Sequence, residues 1–77
     1  MTDDLPPDVR ELADQLALLF ADEPDWLKRY ALVRDAVRDF QQDLKLKRRS
    51  GEVVSVDLVH RFEHRLWNTL KRHLEAR

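Results

Sequence analysis

The chain contains no cysteine, so neither a disulfide nor a thiolate metal site can hold it together. Glycine occurs once, at Gly51, and proline at Pro6, Pro7 and Pro24 alone. Turn-rich and β-rich architectures need more of both, so the pattern points to helices interrupted at few places. No apolar run approaches the ~18 residues of a membrane-spanning helix, which argues against a membrane partner. The opening MTDDLPPD is acidic and lacks the apolar stretch of a secretory signal, so a cytoplasmic setting is expected.

What remains is a charge-rich, amphipathic chain. Its 77 residues make one small domain, expected to span 1–77. A chain of this size buries only about 60% of its unfolded surface, so it needs dense helix packing or a partner chain for stability. Charged residues are 38% and hydrophobic ones 43% of the total, a globular rather than a disordered balance. The net charge of −1 conceals a strong asymmetry. Residues 1–25 carry one base and eight acids, whereas 26–55 carry eight bases and four acids. In a domain this small, the acidic head is expected to lie along the basic body and neutralise it; the alternative is a basic surface that meets a polyanion, with the head modulating that contact.

The longest periodic stretch runs from Pro24 to Arg49. Trp26, Tyr30, Val33, Val37, Phe40 and Leu44 recur at spacings of 4, 3, 4, 3 and 4, the seam of a helix packed along near-parallel partners. Ahead of it, Pro6-Pro7 opens a shorter helix, with Asp8 and Glu11 near its positive end. Its expected buried stripe is Val9, Leu12, Leu16, Leu19 and Phe20, with Ala13 and Ala17 beside it. Asp22 or Glu23 is the expected cap of the long helix. After Ser50-Gly51, Val53 and Val54 read as a connector tucked under the bundle, and Ser55 as the next cap. Val59, Phe62, Leu66, Leu70 and Leu74 then form the stripe of a last helix. The expected fold is all-α: a three-helix antiparallel bundle with a long central helix. Its helices lie at about 7–21, 24–49 and 56–75, behind a tail at 1–5.

Three constellations invite a chemical reading. His60-Arg61-Phe62-Glu63-His64 matches H-x-x-E-H, whose two histidines lie one turn apart as zinc requires. His73 falls on roughly the opposite side of the helix, and so short a chain cannot wall off a cleft. No metal, cofactor, catalytic residue or small-molecule substrate is therefore expected. Glu63 falls inside the apolar arc, where it needs Gln41 or a second subunit as partner, or an edge position. The aromatic residues sit on seams and read as core and interface rather than as a ligand box.

The third constellation is basic. Lys45, Lys47, Arg48 and Arg49 cluster at the end of the long helix, and Arg61, Arg65 and Arg72 form a stripe on the last one. Together they make possible nucleic-acid contacts. Asp35, Asp39 and Asp43 on the same long helix weigh against that. The favoured expectation is a non-enzymatic interaction or oligomerisation module, a homodimer or a protein bound to another protein. A first helix of about 22 Å cannot cover a long helix of roughly 37 Å. Phe40, Leu44, Val53, Val54 and Phe62 are then expected to lack cover and to form the interface. In a homodimer, Asp39 and Asp43 of one copy would face the basic turn at 45–49 of the other.

Overall fold

The computed structural model describes residues 5–51 and 57–76. It holds three helices: α1 (Pro7–Ala21), α2 (Trp26–Arg49) and α3 (Leu58–Glu75). The expected helical bundle with a long middle element is the fold, and no strand occurs among the described residues. Val53, Val54 and Ser55 lie outside the described residues.

The helix ends follow from local chemistry. Pro7 occupies the first turn of α1, where its missing N–H leaves no bond unmade, and Asp8 follows it. Asp25, rather than Asp22 or Glu23, caps α2: its carboxylate accepts the Leu27 N–H at 2.9 Å. Glu23 instead accepts the Asp25 N–H at 3.2 Å, which braces the turn. The Arg29 guanidinium reaches back and donates to the carbonyls of Phe20 and Glu23. A cation at the negative end of α1 thus fixes the α1–α2 corner. Gly51, at φ 88°, supplies the left-handed residue that ends α2.

The core sits where α3 meets the other two helices. Phe62, Leu66 and Leu70 of α3 and Val33 of α2 are its largest fully buried side chains. Phe62 stacks on Phe40 with ring centroids 4.3 Å apart and planes 16° from parallel. Higher up, Trp67 meets Tyr30 at 5.8 Å. These contacts place α3 back along α2, as the antiparallel return requires.

Beyond the cap of α2, four expectations change. First, the expected α1 stripe is only partly inside: Phe20 is buried and Val9 and Leu16 pack against the core, but Leu12 and Leu19 do not. Its buried face is Ala13, Ala17, Phe20 and Ala21, whereas Leu12 and Leu19 are 42% and 64% exposed. The helix is turned by roughly 90° from the leucine stripe, at 100° per residue. The cause is close packing: three alanines let α1 approach α3 more nearly than leucines would, and α1 and α3 are the most intimately packed pair. Second, Phe40 and Leu44 do not lack cover. They are 9% and 6% exposed within one chain, and Phe62 is fully buried. Third, the upper α2 seam is open, with Trp26 69% exposed and Tyr30 half in solvent. Fourth, Leu5 is buried, so the amino-terminal tail does not extend to residue 5.

Candidate docking groove

Both α1 and α2 lean on α3, but they make little contact with each other. The Cα envelope measures 43 × 28 × 15 Å, a flattened shape. Its radius of gyration is 13.1 Å, where a spherical domain of this length would have about 11.5 Å. Flattening leaves a trough between α1 and α2 of about 510 Å³.

The trough has core residues at its base and exposed leucines, Leu12 and Leu32, at its edges. Leu12, Leu16 and Phe20 form one wall, Leu32, Ala36 and Phe40 the other, and Phe62 of α3 lies beneath. Leu12 on the α1 edge is 42% exposed. Leu32 on the facing edge is 38% exposed. Asp35, Asp39 and Asp43 follow the α2 rim at successive turns and also line the trough. They border this hollow rather than a plain solvent face. Among the described residues the lining holds no hydroxyl, thiol, imidazole or amine.

A second surface lies on the other side of α1. Arg65 of α3 donates from Nε to Oδ1 and from Nη2 to Oδ2 of Asp14, both at 2.9 Å. Thr69 donates its hydroxyl to Oδ1 at 3.2 Å. These hydrogen bonds, with the nearby positive charges of Arg65 and Arg10, hold the Asp14 carboxyl below its ordinary value of 3.8, although burial works against them. The paired carboxylate fixes α1 against α3.

The candidate nucleic-acid contacts differ in their surroundings. Lys45, Lys47, Arg48 and Arg49 are all exposed at the end of α2. Arg65 is engaged with Asp14, Arg61 is half-buried, and Arg72 is exposed beside the Asp14 surface. His60 and His64 are exposed and Glu63 is half-buried. Among the described residues no group of three His, Asp or Glu side chains is placed to hold a metal ion. The aromatic set divides. Phe40 and Phe62 are core, Tyr30 and Trp67 pair near the surface with Arg34 6.0 Å from the Tyr30 ring, and Trp26 projects.

Periodicity did not reveal the trough, because it assigned the leucines of α1 to the core. The usable signal was the Ala13, Ala17, Ala21 ladder at i, i+4 and i+8, which marks a close helix contact and leaves the leucines over. Comparison with family models, with curated proteins and with solved structures finds no match to this chain. Fold and site together define a small helical bundle with an open apolar trough.

Proposed function

We propose that this protein is a non-enzymatic interaction module that receives a helix of another chain in the trough between α1 and α2. The observation that carries this reading is the leucine-edged trough itself. Leu12 and Leu32 stand in solvent on its two edges around an apolar floor, in a chain that needs all the apolar burial it can obtain. A fourth helix laid there would cover both edges, the recurrent mode in which an amphipathic helix fills a groove. A lining of hydrocarbon and three carboxylates suits binding better than bond-making.

Self-association is a narrower form of the same reading. A dimer centred on Phe40, Leu44 and Phe62 loses its motive, since one chain already buries all three. Two copies meeting trough to trough would set Asp35, Asp39 and Asp43 against their own equivalents about a two-fold axis lying across the troughs, and against the uncharged α1 wall about one lying along them. A different chain is the better occupant.

The test is a titration of isotope-labelled protein with synthetic leucine-faced helical peptides of about 18 residues, five turns. Amide shifts are expected at Leu12, Leu16, Leu32 and Ala36. The exposed-site variants Leu12→Gln and Leu32→Gln should weaken binding at least about fivefold, or 1 kcal/mol, while circular dichroism stays unchanged. The reading fails if no peptide shifts these residues.

Nucleic-acid binding is the second reading, favoured by the exposure of all four bases at 45–49. Replacing Lys47, Arg48 and Arg49 by Glu should then abolish salt-sensitive retention of nucleic acid without loss of helicity. Absence of such retention in the natural chain at low salt removes this reading.

A further inference from the structure

Resting on the docking role of the trough, we infer that its partner is an amphipathic helix with a basic edge, its Arg or Lys residues spaced one turn apart. Asp35, Asp39 and Asp43 stand at i, i+4 and i+8 on one α2 rim, a row of roughly 12 Å at 1.5 Å per residue. All three are exposed, and none has a hydrogen bond or ion pair among the described residues. No cation lines the trough from α1, α2 or α3. The opposite wall, Leu12, Leu16 and Phe20 of α1, carries no charge of either sign, so the three carboxylates set the potential of the hollow. Apolar surface and acidic rim run side by side along the same hollow. A helix that lays leucine-like side chains on Leu16, Ala36 and Phe40 brings its flanking edge onto the three carboxylates. Bases at i, i+4 and i+8 on that edge meet them in register.

The chain itself is a poor source of such a helix. Its segment 45–49 has the bases but one exposed apolar residue, Leu46. Its segment 26–38 offers Trp26, Leu27 and Tyr30 with Arg34 and Arg38. Seating that segment in a neighbour's trough joins unlike surfaces, so the contact repeats from copy to copy without closing.

Three peptides with one leucine face and Arg, Gln or Glu at the three edge positions decide the matter. Each is titrated at about 50 mM and about 300 mM salt, where the screening length shrinks from roughly 14 to 6 Å. The Arg peptide should bind about tenfold or more tightly than the Glu peptide at low salt, as expected for three exposed pairs acting together. That ratio should fall below about threefold at high salt. The triple variant Asp35→Asn, Asp39→Asn, Asp43→Asn should bring the Arg and Glu peptides to parity and leave the Gln peptide unchanged. Equal binding of all three peptides to the natural chain leaves the docking role standing and overturns the basic partner. Retention of the Arg preference in the triple variant overturns it as well. So does an assembly of the protein alone, at titration concentration, in which the trough amides already show the bound shifts. If no peptide binds, the docking role fails and this inference with it.

Discussion

Replacement of Phe62 by alanine tests whether the Phe40–Phe62 stack is the core of a single chain. Phe62 has no exposed surface, and its ring lies 4.3 Å from that of Phe40 while forming the base of the trough. Truncating a buried Phe to Ala costs about 3–5 kcal/mol, combining lost transfer energy with the cavity left behind. At roughly 0.05–0.15 kcal/mol per residue, a domain of this length has a total stability of only about 4–12 kcal/mol. The alanine variant should therefore lose at least a quarter of its stability and approach complete unfolding at the lower end. Phe62→Leu, nearer in volume, should cost about 1–1.5 kcal/mol and lower the melting temperature by about 4–12 °C. A cycle with Phe40→Leu should return a coupling of about 0.5–1.5 kcal/mol for the stacked pair. Urea unfolding followed by far-ultraviolet circular dichroism, at two protein concentrations tenfold apart, measures all of these. A loss below about 1 kcal/mol for Phe62→Ala would refute the packing described here. A natural-chain midpoint that moves with concentration would return the pair to an interface between copies.

The seam of α2 should be most sensitive at Val33, which is fully buried, and less so at Val37, which is half-buried. Val33→Asp should abolish the helical melt, whereas Val37→Asp should retain a weakened one; the reverse order would displace the register of α2. Asp14→Asn should destabilise by about 1 kcal/mol or less at neutral pH, since the Asp14 side chain is 39% exposed and solvent screens the pair. The sign with pH follows from the lowered carboxyl. A group whose folded value is depressed stabilises above its unfolded value and ceases to do so as pH falls through the folded one. The natural chain's advantage over Asp14→Asn should thus be constant above about pH 5 and shrink as pH falls below about 4, and a gap that did not shrink in acid would exclude an ionic origin.

The sequence by itself determined the helices and their punctuation. Pro7, Asp25 and Gly51 act within a few residues of where they stand, so α1 begins and α2 ends where local chemistry places them. The antiparallel return was also legible, because short links and matching seams bring Phe62 to Phe40. Only the tertiary structure decided which face of α1 is buried. Hydrophobicity ranks leucine above alanine, but a helix interface rewards close approach, and Ala13, Ala17 and Ala21 permit it. That choice turned Leu12 and Leu19 outward and opened the trough. It also brought Asp14, 51 residues away in the chain, onto Arg65, a pairing that no local pattern encodes. The trough exists because two helices lean on a third without touching one another closely, and that relation belongs to no single stretch of the chain.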